Sequence, residues 1–453
     1  MCAACCEAAP SASLPSLRRP SGGPRNARAC IRRESAEVAS QVSLRGYSQL
    51  LRRSPNFRRV WIAQLISGSG DWFYSVAIYS MILELSGRAE LVAWAAILQI
   101  LPMMLLGPTA GAANDRLSRR KVMLVSDLFR AALVLCMLLI DRQEELPWLY
   151  LLLTLEIGTA AFFEAGRSAI LPSLIERDEL PTANALGSTT WSLTVTMGAA
   201  LGGVAVAYLG REFVFVANSA TFLLSAWFVY RVRAFERHLA GLRKQSWLAA
   251  LSFRPIAEGF LYMIRDWRLA TLLTLKLGLG IMGARVVLTT ILGSRDFPVG
   301  DSPALGMAVL FAFQGTGSTL GPLVMGRRFS KSQNSMRWTV LMGYLAAGCG
   351  YMLFSQTLLM PLAGLFLVLA HGGAALVWVC STTLLHLNTE NQFLGRVFAA
   401  DMGLFMATAS VSTYCMGQLL DAGLSARTGA LGLGFAMLGP AALWVLSLRR
   451  SWH

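Results

Sequence analysis

The run NFRRVWIAQLISGSGDWFYSVAIYSMIL, residues 56–83, is mostly apolar and carries a single acid, Asp71, near its middle. About 20 apolar residues in a helix cross the roughly 30 Å hydrocarbon core of a bilayer, and this run is long enough. A carboxylate at that depth is costly and marks either a function or a partner. Gln64, Ser67, Asp71, Tyr74 and Ser75 recur three or four residues apart, which puts them in one polar stripe. Such a stripe faces protein or water rather than lipid.

Outward from this run the same pattern repeats. The chain has 453 residues, 55% hydrophobic and only 14% charged, with mean hydropathy +0.52. A soluble domain carries about a quarter charged residues. Here the charges are bunched between long apolar runs. In lipid, only helices and closed barrels satisfy their own backbone groups, and runs without alternation are helices. The breaks predict about twelve spans, at 60–84, 91–113, 122–140, 147–168, 185–209, 213–231, 269–292, 304–326, 338–356, 358–386, 397–420 and 428–448. The expected fold class is an all-α polytopic membrane protein with two six-helix halves: 47–231 and 269–453. Residues 232–268 form a basic, amphipathic connector between them.

Lys and Arg set the expected orientation. Arg45, Arg52, Arg53, Arg58 and Arg59 precede the first span. Arg116, Arg119, Arg120 and Lys121 follow the second, and Arg231, Arg233, Arg237, Arg243 and Lys244 follow the sixth. Arg327, Arg328, Lys331, Arg449 and Arg450 continue the series. The alternate turns, such as DRQEEL (141–146) and GSRDF (293–297), are mixed or acidic. Both termini are expected in the cytoplasm, and this asymmetry accounts for the net charge of +15 without a nucleic-acid partner.

The eight cysteines form no metal or redox pattern, and no cofactor is expected. Cys136, Cys349, Cys380 and Cys415 lie inside spans, as small hydrophobes. Cys2, Cys5, Cys6 and Cys30 lie in residues 1–46, rich in Ser, Pro, Arg and Ala and without the apolar core of a secretory signal. That segment reads as a disordered extension or an organellar targeting peptide. The expected location is a bacterial plasma membrane, or an organellar one if 1–46 is a transit peptide.

Between the second and third spans stands GAANDRLSRRK, Gly111 to Lys121. Gly111 would let helices approach closely, Asp115 would face a helix N-terminus, and the arginines would hold carboxylates at the surface. Gly111, Asp115, Arg116, Arg119 and Arg120 match the G-x-x-x-D-R-x-G-R-R/K signature of the major facilitator superfamily, with Ser118 in place of the second glycine. SDLFRAALV (126–134), EAGRSAILPSLIERDELPTANAL (164–186) and GRVFAADMG (395–403), with 56–78, resemble its branch of enterobactin exporters and macrolide efflux pumps. The resemblance implies proton-coupled export of small amphipathic molecules from a monomer in the lipid bilayer. The fifth span resembles an antiporter motif, but Gly198-Ala199-Ala200-Leu201-Gly202-Gly203 lacks its proline.

The deep ionisable residues are Asp71, Glu156, Lys276, Arg285 and His371, in spans 1, 4, 7 and 10. The resemblance implies that these spans line a central cavity. Asp71 is expected to couple protons or gate, to pair with Lys276 or Arg285 across the halves, or to touch substrate. Lys276 and Arg285 either balance Asp71 and Glu156 or attract an anionic substrate. Glu156 is a candidate for cationic substrate groups or a buried partner, and His371 for proton relay. Asp127, Arg130 and Asp401 are expected near the cytoplasmic edge, as a gate with Arg116, Arg119 and Glu164. No HExxH, GxSxG, Cys-His cluster or P-loop points to an enzyme. Uptake by symport, or a non-transporting sensor on the same fold, are the alternatives.

Overall fold

The computed structural model describes residues 44–233, 254–300, 302–329, 332–390 and 392–448. The cysteines of the N-terminal tail, Arg237, Arg243, Lys244, Lys331, Arg449 and Arg450 lie outside the described residues. A short helix, Leu44–Arg53, leads into span 1, Pro55–Ser86. Span 2 comes in two pieces, Ala89–Leu98 and Leu101–Arg116. Span 3 is Arg119–Cys136 and span 4 Leu146–Ile170. Spans 5 and 6 share Leu180–Tyr230. Span 7 is Trp267–Ile281 and Arg285–Arg295, joined by a 3₁₀ turn, Met282–Ala284. Spans 8 to 12 are Pro303–Phe329, Gln333–Gln356, Met360–Asn388, Leu394–Asp421 and Ala426–Leu448.

Ten helical stretches among the described residues are long and apolar enough to cross a membrane. One of them, Thr182–Tyr230, holds two spans. Gly210 reverses the chain inside it with φ 84° and ψ 164°, a conformation open to glycine at no steric cost. Span 1 is 32 residues long but its polar stripe keeps it below that hydropathy. Counting both gives twelve spans. Two apolar runs that read as single helices are broken. In span 2, Pro102 has no N–H for the Leu98 carbonyl, and the helix restarts after Ile100. In span 7, the Ser412 hydroxyl of span 11 donates to the Ile281 carbonyl at 2.6 Å, satisfying backbone at the break.

Each half has its own apolar core. Tyr74, Ile78, Val92, Val134, Leu149, Phe215 and Phe222 are buried together in the first. Leu275, Leu288, Tyr344, Tyr351, Leu367 and Trp444 are buried together in the second. Leu139, Tyr208, Leu323 and Leu358 are instead exposed, as side chains facing lipid would be. Of the connector, residues 234–253 lie outside the described residues. Arg254–Arg265 is a helix packed on the start of span 11, with Glu258 3.2 Å from Arg396 and Tyr262 stacked on Phe393.

The turn at 141–145 closes on itself. Glu145 accepts the N–H groups of Asp141 and Arg142, which hold its carboxyl below the usual carboxylate range. At the Arg-rich end, Arg53 pairs with Glu176 at 2.9 Å, and Arg59 donates to the Arg231 carbonyl, both within the first half. At the opposite end the halves join each other. Asp421 of span 11 accepts the N–H groups of Ala89 and Glu90 at 2.8 and 2.9 Å, capping span 2 from the other half. Ala89, Ala93, Val287 and Ile291 pack beneath this cap. Spans 5 and 8 also meet, and a Cβ at Gly203 would overlap that of Ala308.

Two consequences are measurable. In Gly202→Ala the new methyl would overlap the Phe73 carbonyl of span 1, a backbone group that cannot swing away. Thermal unfolding in detergent micelles is expected to show a loss of about 1–3 kcal/mol, whereas Gly107→Ala, which meets nothing within 4 Å, shows none. Asp421→Ala removes a cap worth about 1 kcal/mol, and only from the state in which the far end is closed. A membrane-impermeant thiol reagent is therefore expected to label Ala93→Cys faster in the Asp421→Ala background.

Candidate functional site

The stripe of span 1 meets spans 3, 4 and 6 around one guanidinium. Asp127 and Arg130 lie three apart on span 3, so both project from one face. Arg130 donates from Nη2 to Asp71 Oδ1 at 2.7 Å and from Nε to Glu156 Oε1 at 2.7 Å. Its Nη1 is 3.9 Å from Asp127 Oδ1. Tyr74, one turn on from Asp71, donates its hydroxyl to Glu156 Oε2 at 2.7 Å. Ser225 of span 6 donates to Asp127 Oδ2 at 2.5 Å, and the Phe222 ring lies under the guanidinium at 4.0 Å.

Arg130 is 2% exposed, and Asp127 and Glu156 are fully buried. Asp71 differs: 31% of its side chain is accessible. Three carboxylates thus surround one cation, and one of them can be reached. Among the described residues no group of His, Cys, Asp and Glu is placed to hold a metal ion. The arrangement can exchange protons and ion pairs.

The pairing of Asp71 with Lys276 or Arg285 is corrected by this geometry: its partner is Arg130, within the same half. Asp127 and Arg130 were expected in a gate with Arg116, Arg119 and Glu164; the ion pairs of Arg130 are with Asp71, Asp127 and Glu156. Asp127 and Arg130 sit in the buried core, and Glu164 pairs with Arg167 at 2.8 Å. Asp401, seven residues into span 11, lies 3.7 Å from Lys276 Nζ. Lys276 donates to Thr382 at 3.0 Å and rests 3.5 Å over the Trp378 ring. Arg285 donates to Gln314 Oε1 at 2.8 Å, and His371 Nε2 is 3.0 Å from the buried Tyr351 hydroxyl. Along the stripe, Ser67 is buried and Gln64 half-buried, while Ser75 bonds the Asp71 carbonyl and Gln99.

The loop 111–121 is built differently from its sequence reading. Asp115 is exposed, and a Cβ at Gly111 would meet nothing within 4 Å. Close contact comes from Asn114, buried and donating to the Phe162 carbonyl of span 4 at 3.1 Å. Arg119 holds a carbonyl rather than a carboxylate, Ala169 O at 2.6 Å, and Arg120 lies over the Tyr230 ring. Arg116 is half-buried. Ser118 caps span 3 by accepting the Lys121 N–H, which gives the departure from glycine a structural use.

Sequence reasoning had not joined Ser225, Phe222, Gln99, Thr382 or Trp378 to any site. One signal was available: Arg130 falls near the middle of the predicted span 122–140. Removing Arg130 would leave buried carboxylates without their cation. Arg130→Ala is expected to cost about 3–5 kcal/mol, read as loss of folded protein by size exclusion. Arg130→Gln with Glu156→Gln is expected to recover at least about 1 kcal/mol relative to the sum of the single changes.

Residues 49–444 match the family described as transmembrane secretion effector. The chain is 26% identical over 411 residues to the multidrug efflux pump Tap of Mycolicibacterium fortuitum, covering 86% of this chain and 95% of that protein. It is 30% identical over 127 residues to macrolide efflux protein A of Streptococcus pyogenes, 27% of this chain and 31% of that protein. The solved structure of the nucleoside transporter NupG is similar in fold, with TM-score 0.66 at 12% identity, over 87% of this chain and all of that one. Its length of match, the twelve spans among its described residues and its buried charged centre lead to one conclusion: the chain belongs to the transmembrane secretion effector family of major facilitator superfamily transporters.

Proposed function

We propose that this transporter exports small amphipathic molecules in exchange for protons, with its Arg-rich end and both termini in the cytoplasm of a bacterium. Residues 47–231 and 269–453 act as the moving halves of one monomer, and 232–268 link them. The observation that carries this reading is the contrast within the charged centre: Asp71 is accessible, while Arg130, Asp127 and Glu156 are not. The efflux function in the names of the two relatives supports the outward direction.

A proton taken up by Asp71 cancels its charge and weakens its bond to Arg130, which keeps Glu156 as a partner. Loss of that proton restores the ion pair. The first half thus has two arrangements that a proton selects between. Asp421 and the span 5–span 8 contact hold the far end closed in the state described here. Opening that end and closing the Arg-rich end would complete alternating access.

The test is transport in proteoliposomes under an imposed pH gradient, with ethidium and an anionic siderophore as substrates. Wild type is expected to move at least one of them when driven by the gradient. Asp71→Asn is expected to fall to the level of empty liposomes, while still exchanging substrate for substrate without a gradient. Gradient-driven transport at the wild-type rate by Asp71→Asn would remove Asp71 from coupling. If no gradient drives either substrate through wild type, the proton-coupled reading fails.

A further inference from the structure

Arg285 is a cation without an acid. It stands on span 7 directly after the Met282–Ala284 turn, and among the described residues no carboxylate lies within 4.0 Å of it. Its Nη1 is held by a neutral partner, Gln314 Oε1 at 2.8 Å. Gln314 is itself buried and oriented by its bond to Thr289 at 2.5 Å. A guanidinium carries five donors in a fixed fork, and one amide oxygen answers only part of it. The fork is aimed by a buried chain of side chains, yet lacks the anion that a partly buried guanidinium calls for.

The surroundings of Arg285 belong to both halves. Gln314, which holds Arg285, stands three residues after Phe311 on span 8. Tyr79 packs beside Phe311 of span 8 at 6.3 Å and donates to Gln99 Oε1 at 2.8 Å. That leaves Gln99 Nε2 buried with no hydrogen-bond partner. A second unanswered donor, Gln99 Nε2, therefore lies in the first half beside Tyr79. Among the described residues, Gln99 Nε2 meets no acceptor and Arg285 meets a neutral one but no carboxylate.

The first half has the opposite surplus. Asp71, Asp127 and Glu156 share Arg130, and Asp71 stays accessible. Asp71 and Tyr79 are eight residues apart on one helix, about 12 Å along its axis. We propose that the transported molecule is dipolar: a carboxylate received by Arg285 in the second half, an ammonium drawn to Asp71 in the first, and an apolar middle against Tyr79 and Phe311. The proposal rests on the transport reading and adds its substrate class. The two halves then share one ligand, so each binds it fully only when they approach.

The test is binding, separate from transport. The full chain in lipid nanodiscs is titrated with the tripeptide Ala-Phe-Ala, whose three extended residues reach about 10 Å, with its C-terminal amide and with its N-acetyl form. Tryptophan fluorescence reports binding. Wild type is expected to bind the free tripeptide and to bind the amide at least about tenfold more weakly, the loss of one charge-assisted contact. Arg285→Gln is expected to bind acid and amide alike, and Arg285→Lys to recover part of the preference, which shows that the variants fold. Asp71→Asn is expected to lose the preference for the free amine over the N-acetyl form. Equal binding of acid and amide by wild type, a preference that survives in Arg285→Gln, or binding of none of the three would overturn the proposal. Intact discrimination with no gradient-driven transport would sink the export reading alone.

Discussion

The Arg130 guanidinium is the group on which the first half depends. It lies near the middle of span 3 and is 2% exposed. A buried ion costs several kcal/mol unless its geometry and its hydrogen bonds are good. Arg130 meets that condition by reaching three helices at once: Asp71 on span 1, Asp127 on its own span and Glu156 on span 4. Span 6 closes the shell, with the Phe222 ring beneath the guanidinium and Ser225 on Asp127. Any rearrangement of one helix alone would strip the cation of a partner, so the ion pairs hold these spans to one another.

Glycine sets how closely that body can be built. In the SGSGDW element, Gly70 leaves room for Asn218 and Thr221 of span 6, while Trp72 meets Trp191 of span 5 edge-on. Gly198 and Gly202 of span 5 bring its backbone against Ser69 and Phe73. The glycines of the proline-less antiporter-like motif are therefore packing positions. Gly203, the last of them, faces the other half instead and sits where the halves touch. Halves that meet along spans 5 and 8 and along spans 2 and 11 suit a transporter that rocks one half against the other.

The halves also differ in charge character. Carboxylates outnumber cations in the first core, and Lys276 and Arg285 outnumber Asp401 in the second. Lys276 is shared between Asp401, Thr382 and the face of Trp378, a cation with several moderate partners rather than one tight one. The family signature loop stands outside this scheme. Asn114 and Arg119 bond carbonyls of span 4 and Arg120 lies over the Tyr230 ring of span 6, so the loop ties the ends of spans 2 and 3 to spans 4 and 6.

Much of the architecture was legible in the chain. Hydropathy is a local property, and so the spans, the stripe of span 1 and the Gly-Asp-Arg-Arg spacing could be read directly. The same local reading picked out Asp71, Glu156, Lys276, Arg285 and His371 as deep groups, because depth follows from position along an apolar run. It placed the break between spans 5 and 6 at 210–212, where Gly210 turns the chain, but missed the breaks near Pro102 and Met282, where a backbone exception interrupts an unchanged apolar pattern. It set Arg130, Asp127 and Asp401 within a few turns of charged loops and did not foresee their pairings with Asp71, Glu156, Ser225 and Lys276. Which cation meets which carboxylate was decided only by tertiary structure. Asp71 and Arg130 are 59 residues apart, and Asp127 and Ser225 are 98 apart. Partner choice depends on how helices rotate and cross, a relation between faces that no single stretch of sequence contains.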